Sequence, residues 1–410
     1  MATQSLLANM FREAVASMDY AMRSEAIDDI GYPTGFLNFD YTNGYIAEEL
    51  DASTGEISQY YNIGLTDGSF VAVIGNTGTG KSTFVIQVAS NIARKFKTST
   101  IFEDSIEGGM TVARRMSLSM FSDEEYKTRF IVRNTGITSE NLYERIKLIH
   151  DLKIKNINNF LYDTGFKDMY GNPIMKLEPT IYILDSIALL NPEKYAEEDK
   201  LSGNSAAAAS AKVAAQVLRS IIPMLKSANI IFICINHILE DVQMSVMPKK
   251  QPIPYLKQGE RMPKGRTVTY LANNIIRIEN AQKLQADKEF KIEGSVVDVS
   301  ILKSRTSGKK QATKLIFDYD NGFDPWLSLF KFLKENNLIY GAGVSMSLDK
   351  EKQFKFSQGT LKEKIKTDPE FRNALLKTSL FYLKQIPKKR DVTAANNMID
   401  SLLSPDLQTV

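Results

Sequence analysis

Apolar residues along this chain gather into short dense runs, separated by stretches in which apolar positions recur every three or four residues. The runs at 69–74, 99–103, 129–132, 180–185, 229–235, 274–279, 295–302 and 312–318 have strand length, and the stretches between them have the period of amphipathic helices. This alternation predicts an α/β domain with a doubly wound, mostly parallel sheet whose last two strands form an antiparallel edge. Leu7, Met10, Phe11, Ala14 and Met18 lie at helical spacing. Residues 1–34 therefore read as a helical segment that packs on its own core or on a neighbouring subunit. Residues 31–68, rich in glycine, aspartate, asparagine and tyrosine, read as a loop-heavy approach to the first core strand. The break Asn321-Gly322-Phe323-Asp324-Pro325 closes a core domain at 35–325. The remaining residues, 326–410, are expected to form a small C-terminal domain, with helices at 326–338 and 359–386, a small hairpin at 350–355 and a weakly ordered tail from 390.

Composition narrows the class without deciding it. The chain has 410 residues, 43% apolar and 24% charged, with a net charge of +3. These are the values of an ordinary globular protein, and any nucleic-acid contact must come from a local patch. The single cysteine, Cys234, sits inside an apolar run and cannot form an intrachain disulfide. No leader-like segment opens the sequence, and no apolar run reaches membrane-spanning length. A cytoplasmic setting (the host cytoplasm, were the gene carried by a phage) and no membrane partner are expected.

The chemistry begins where the first core strand ends. Gly75-Asn76-Thr77-Gly78-Thr79-Gly80-Lys81-Ser82 matches G-x-x-x-x-G-K-[ST], and a helical pattern starts at Thr83. Glycines let successive amides turn toward one phosphate, and the helix N-terminus favours negative charge. Lys81 would reach the β- and γ-phosphates, and Ser82 would bind Mg²⁺. Asp185, ending the run Ile181-Tyr182-Ile183-Leu184, supplies a second Mg²⁺ group. No Asn-Lys-x-Asp loop for guanine is present, so ATP is the expected nucleotide. A base for the attacking water is sought in Phe102-Glu103-Asp104-Ser105-Ile106-Glu107, where both Glu103 and Glu107 qualify; the bland alternative is a solvated acidic turn. His237 ends a third strand and could sense the γ-phosphate, although a lone histidine is more often structural. Lys303 and Arg305, two apart on a late strand, point to one side and could reach a neighbour's phosphate as fingers do.

By composition one segment could contact DNA, against the alternative of a solvated surface loop, and a second is poorly suited to it. Lys249, Lys250, Lys257, Arg261, Lys264 and Arg266 make a basic, Pro- and Gly-containing loop after His237. After Asp185 the chain is acidic, so contact there would fall to Asn204, Ser205 and backbone amides. In the C-terminal region Lys362, Lys364, Lys366, Lys384, Lys388, Lys389 and Arg390 could help to capture duplex DNA, or simply form a solvated helix face.

Taken in order, these elements resemble the RecA family, and among its members the UvsX recombinases of tailed phages. The resemblance spans roughly residues 35–345. It is carried by the phosphate loop, by Ile183-Leu184-Asp185-Ser186-Ile187-Ala188-Leu189-Leu190, by Ile233-Cys234-Ile235-Asn236-His237, and by Leu302-Lys303-Ser304-Arg305-Thr306 with the later Phe317-Asp318-Tyr319-Asp320-Asn321-Gly322-Phe323-Asp324-Pro325. It implies a RecA-like P-loop core, a DNA-dependent ATPase activity, and strand exchange on a helical filament around single-stranded DNA. Homologous duplex DNA, a loading mediator and a single-strand-binding protein are the implied partners. At matching positions it implies that His237 senses the γ-phosphate, that Lys303 and Arg305 act across a head-to-tail subunit interface, and that the segments after Asp185 and His237 bind DNA. Asp104-Ser105-Ile106-Glu107 is one residue longer than the family's Asp-x-Glu, while Glu103-Asp104 is similar to the paired acids of KaiC-like and RadA-like proteins. A DnaB-type hexameric helicase and a RecA-like ATP-switched assembly protein are the alternative readings.

Overall fold

The computed structural model describes residues 30–50, 57–167, 173–196, 204–240, 253–284, 290, 292–305, 312–342 and 345–387. The N-terminal stripe at 7–18, Lys249, Lys250 and the tail from 390 lie outside the described residues.

The main sheet is built from β1 (Phe70–Gly75), β2 (Ile101–Ser105), β3 (Phe130–Arg133), β4 (Thr180–Asp185), β5 (Ile230–His237), β6 (Asn274–Leu284), β7 (Gly294–Ser304), β8 (Ala312–Asp318) and β9 (Gly322–Asp324). Their spatial order is β9-β8-β7-β6-β1-β5-β4-β2-β3. The pairs from β6 through β3 are parallel, and β7, β8 and β9 continue as an antiparallel edge. All eight strand-length runs are strands, and the predicted antiparallel edge gains β9, which forms inside the break at 321–325.

Alternation along the strands sorts the core into two layers. Val71 and Val73 of β1, Ile181 and Ile183 of β4, and Ile233 of β5 face α1 (Lys81–Ala93) through Phe84, Val85 and Val88. Phe70, Ala72, Tyr182, Leu184, Phe232 and Cys234 face the other way, onto Leu142 and Ile146 of α2 (Ser139–Lys155) and Leu218 and Ile221 of α3 (Asn204–Ser227). Strands buried on both faces read as continuous apolar runs, which is why they were legible.

Residues 31–68 contain more order than their composition announces. Leu37–Asn43 is helical, and Tyr45–Leu50 pairs antiparallel with Ile57–Asn62. A second ribbon, Leu161–Lys167 with Pro173–Leu177, forms a sheet of its own, and Tyr60 packs at a tilt against Phe166 at 4.3 Å between ring centroids. These ribbons mix Glu, Gln, Tyr and Lys with few aliphatics, so they carry no strand-like apolar signal.

Beyond the core, Asp324 caps the helix Pro325–Glu335 by accepting from the amides of Trp326 and Leu327 at 2.9 Å each. That helix packs Leu327 and Phe330 against Ile316 of β8, in a cluster that also includes Phe356 and Phe371. The predicted hairpin at 350–355 is instead a three-stranded sheet of Tyr340–Ala342, Ser345–Ser347 and Lys355–Phe356, with 350–352 in the turn. The helical stretch 359–386 is two helices, Leu361–Thr367 and Pro369–Leu383. The break falls at Asp368, which caps the second helix through the amide of Phe371, with Pro369 at its first position. Among the described residues no helix is long and apolar enough to cross a membrane.

One buried acid makes the fold respond to pH. Asp40 is fully buried and accepts hydrogen bonds from the amide and hydroxyl of Thr34. Burial outweighs those bonds and pushes its carboxyl up from 3.8 to about 7. The native state therefore holds a proton that the unfolded chain releases, so this group's contribution to stability falls as pH rises from about 4 to about 7. Asp40→Asn should gain in melting temperature relative to the wild type across that window. An equal difference between the two proteins at both ends of the window would show that Asp40 does not take up a proton on folding.

Candidate functional site

The carboxyl ends of β1, β5, β4 and β2 lie along one edge, where ligands of open α/β sheets bind. The loop at 75–80 leaves β1 there and enters α1. A Cβ on Gly75 would stand 2.3 Å from the Ile278 carbonyl of β6, so only glycine permits this approach. Gly80 opens α1 at φ +87°, in the left-handed region, close against the rings of Phe317 and Phe323. Asn76, Thr77 and Gly78 form the exposed crest of the loop, and the Thr79 hydroxyl donates to the Asn76 carbonyl at 2.9 Å. The buried Lys81 ammonium donates to the same carbonyl at 2.7 Å. Burial pushes Lys81 down to about 8 despite the nearby charges of Asp185 and Glu107, so it remains a cation at neutral pH. Thr83 is buried in the first turn of the helix.

Ser82 Oγ donates to Asp185 Oδ2 at 2.6 Å, which brings together the two residues assigned to Mg²⁺. The second oxygen of Asp185, Oδ1, is buried with no hydrogen-bond partner. Burial raises the Asp185 carboxyl to about 6; the Ser82 hydrogen bond opposes the rise and the charges of Glu107 and Glu103 add to it. An orphaned carboxylate oxygen beside a hydroxyl fits a hard divalent cation. Among the described residues no cluster of three acidic, histidine or cysteine side chains could hold a metal alone, so phosphates and water would complete the shell, the usual arrangement for Mg²⁺.

The two candidate bases stand in different environments. Both oxygens of Glu103 accept from the buried Arg115 at 2.8 Å, and Arg115 also reaches Ser105 Oγ and the Met110 carbonyl. Asp104 points to the opposite face and pairs with Arg145 and the Tyr182 hydroxyl. Burial lifts the Asp104 carboxyl above the usual range despite both partners. Glu107 lies at the loop edge, about one-third exposed, and its Oε1 accepts from Ser186 Oγ at 2.7 Å and meets His237 Nε2 at 2.5 Å. Burial pushes Glu107 up, but the Ser186 and His237 hydrogen bonds and the charges of His237 and Lys81 together hold it below the usual value. His237 Nδ1 is buried without a partner. A cleft of about 460 Å³ opens between these groups, lined by Ser82, Glu103, Glu107, Met110, Arg114 and Asp185.

Arg115, Arg114 and Ser186 were not singled out from the sequence. Arg115 and Arg114 lie on the helix Val112–Ser119, which carries no motif, and Arg114 donates to the carbonyls of Tyr319 and Asp320 at the cleft rim. Ser186 entered only as part of the motif 183–190, with no role of its own.

Lys303 and Arg305 stand elsewhere. Ser304 is level with Asn274, and Asn274 with Val71, so the end of β7 lies at the amino edge of the sheet. Four strand residues, on the order of 13 Å, separate that level from Gly75. Lys303 Nζ donates to the carbonyls of Thr269 and Tyr270, and Arg305 Nη2 donates to that of Tyr270, at the last turn of the helix Gly265–Leu271. Burial, aided by Arg305, pushes Lys303 down to about 8.

The basic segment divides by environment. Arg261 and Arg266 are exposed, Lys257 pairs with Glu279 at 2.8 Å, and Lys264 turns inward to backbone carbonyls. Asn204 and Ser205 begin α3.

No protein-family model matches the chain. It is 27% identical over 127 residues to the DNA repair protein RAD51 homolog 4 of Mus musculus, covering 29% of this chain and 38% of that protein. Against the Bos taurus protein of the same name the identity is 24% over 127 residues, covering 29% and 39%. The matched part spans well under half the length of these curated relatives.

The two acids should separate on mutation. Glu103→Gln leaves the buried Arg115 charge unpaired and should cost about 3–5 kcal/mol of stability by urea denaturation. Glu107→Gln, at a partly exposed carboxylate, should cost well under half as much.

Proposed function

We propose that this chain is an ATP-dependent DNA recombinase of the RecA type, similar to UvsX, which assembles head to tail on single-stranded DNA and pairs it with a homologous duplex. One observation carries the reading: Lys303 and Arg305 lie at the sheet edge opposite their own phosphate loop. Side chains placed there are on the order of 13 Å from their own loop, which supports a role toward a nucleotide held by another copy of the chain. A contact between opposite edges is heterologous, and one that does not close generates an open helix. The distant similarity to a DNA repair protein agrees with this setting.

In this reading Lys81 and the loop amides of 78–83 would hold the β- and γ-phosphates, and Ser82 and Asp185 would hold Mg²⁺. The bound ion would neutralise charge developing on the phosphates. Glu107 orients a water for attack on the γ-phosphorus and takes up its proton as the bond to the ADP oxygen breaks. Lys303 and Arg305 leave their carbonyls to stabilise the neighbour's transferring phosphoryl group. His237 would hydrogen-bond the γ-phosphate, and its exchange between that phosphate and Glu107 would pass the nucleotide state to the segment that follows. Arg261, Arg266 and the segments after Asp185 and His237 would contact the DNA backbone, which suits recognition without sequence preference.

Electron microscopy with long single-stranded DNA, Mg²⁺ and a non-hydrolysable ATP analogue tests the architecture. Continuous filaments that require nucleotide are expected, whereas closed six-fold rings would favour the DnaB-type helicase. Lys81→Ala and Arg305→Ala should each lower DNA-stimulated ATP turnover by at least about 100-fold. A mixture of the two variants should recover part of the activity, because it contains interfaces with an intact loop facing an intact finger. No recovery, under conditions where the variants co-assemble, would place the finger's action within one subunit.

A further inference from the structure

The segments that follow Asp185 and His237 are joined by one lysine. Lys264 Nζ donates to the carbonyl of Ile187 at 3.0 Å and to that of Ala188 at 3.1 Å. Both carbonyls belong to the short turn Ile187–Leu189 directly after Asp185 and Ser186. The backbone of Lys264 is on the returning limb of the other segment, at the cap of Gly265–Leu271, with φ +52°. Left-handed backbone is uncommon outside glycine, and here it directs the chain into the helix. One residue earlier, the Pro263 carbonyl accepts from Asn236 Nδ2 at 2.8 Å, and Asn236 Oδ1 accepts from the His237 amide at 2.9 Å. Asn236 is fully buried. A continuous path of hydrogen bonds thus runs from the sensor strand through Asn236, Pro263 and Lys264 to the turn behind Asp185.

The orientation of Lys264 decides its role. A lysine that neutralises DNA phosphates keeps its ammonium in solvent, but this one turns inward and spends two of its three donors on carbonyls. Among the described residues it has no carboxylate partner, and burial alone pushes it down to about 8. A desolvated cation held only by backbone dipoles is costly to place, and its geometry fixes two chain segments at once.

We propose that Lys264 is a positioning residue that locks the turn Ile187–Leu189, which follows Asp185, to the limb at 261–264, which returns after His237, so that these two stretches move as one unit when the nucleotide changes. The inference rests on the functional reading above and assigns Lys264 away from direct phosphate contact. Because each segment follows a different phosphate-facing side chain, the lock makes their grip on DNA respond jointly to nucleotide rather than separately.

The test is equilibrium binding of a labelled oligodeoxythymidine to the full chain across a salt series, with Mg²⁺ and a non-hydrolysable ATP analogue and without nucleotide. The wild type, Lys264→Met and Lys264→Arg are compared, each with its thermal melting curve. Lys264→Met is expected to cut the ratio of the two affinities by roughly tenfold, within the ordinary range of coupling between sites. Its salt slope should match the wild type, and Lys264→Arg, which can donate to the same carbonyls, should restore the ratio. An equal loss of affinity in both nucleotide states, with the salt slope reduced by about one, would make Lys264 an ordinary phosphate contact and overturn the proposal. So would an unchanged ratio in Lys264→Met, or an arginine variant that melts like the wild type yet behaves like the methionine one. If the wild type itself binds DNA equally with and without nucleotide, the functional reading fails first, and that result is distinguishable because it needs no variant.

Discussion

The parallel register of β1, β5, β4 and β2 is the constraint from which the site follows. Hydrogen bonding sets His237 beside Gly75 and Asp185 beside Ser105, so the phosphate loop and both of its polar neighbours leave the sheet on one edge. Side chains alternate along a strand, and a slip of one residue in any pair would turn a site group to the opposite face. Continuous burial of β1, β4 and β5 on both sides opposes such a slip, because it would misplace a run of aliphatic side chains in both layers at once. The change to antiparallel pairing at β7 reverses the rule and carries Lys303 and Arg305 to the other edge. Loop and cations are therefore segregated by topology onto opposite edges of the sheet.

The same alternation sorts the acids of β2. Glu103 and Ser105 share a face and both meet Arg115, while Asp104 faces α2 and meets Arg145. Two of the three carboxylates at 103–107 are thereby neutralised by arginines, and Glu107, beyond the strand end, is left at the cleft with His237 and Ser186. A buried ion pair adds little net stability compared with apolar packing, but losing one partner is expensive. Glu103 is accordingly placed to hold β2 against the helix Val112–Ser119, with Glu107 left facing the cleft.

Legibility followed physical cause. The two-sided strands announced themselves as apolar runs, and the phosphate loop as a glycine pattern between strand and helix, because burial and backbone geometry each restrict residue choice locally. The ribbons Tyr45–Leu50 with Ile57–Asn62 and Leu161–Lys167 with Pro173–Leu177 did not, since their order comes from pairing and from contacts such as Tyr60 against Phe166. The different surroundings of Glu103 and Glu107 were closed to the sequence, because they turn on Arg115, which no spacing rule connects with either acid. Lys264 counted as one of several basic residues in a loop, and only its hydrogen bonds distinguish it from the exposed Arg261 and Arg266.

What remains at the nucleotide edge is a set of charges and dipoles held in readiness. Lys81 is desolvated and satisfied by a carbonyl of its own loop, Asp185 keeps an unpartnered oxygen, and His237 keeps an unpartnered nitrogen. Burial disfavours the charged forms of Lys81 and Asp185 alike, moving one pKa down and the other up. A ligand bearing several negative oxygens and a divalent cation relieves all of these at once: the anion answers Lys81, and the cation answers Asp185. Groups already fixed by the sheet need little rearrangement to receive it, so the cost of organising the site is met during folding. Behind this edge the hydrogen bonds of Asn236 and Lys264 tie the end of β5, through Pro263, to the turn Ile187–Leu189 that follows β4.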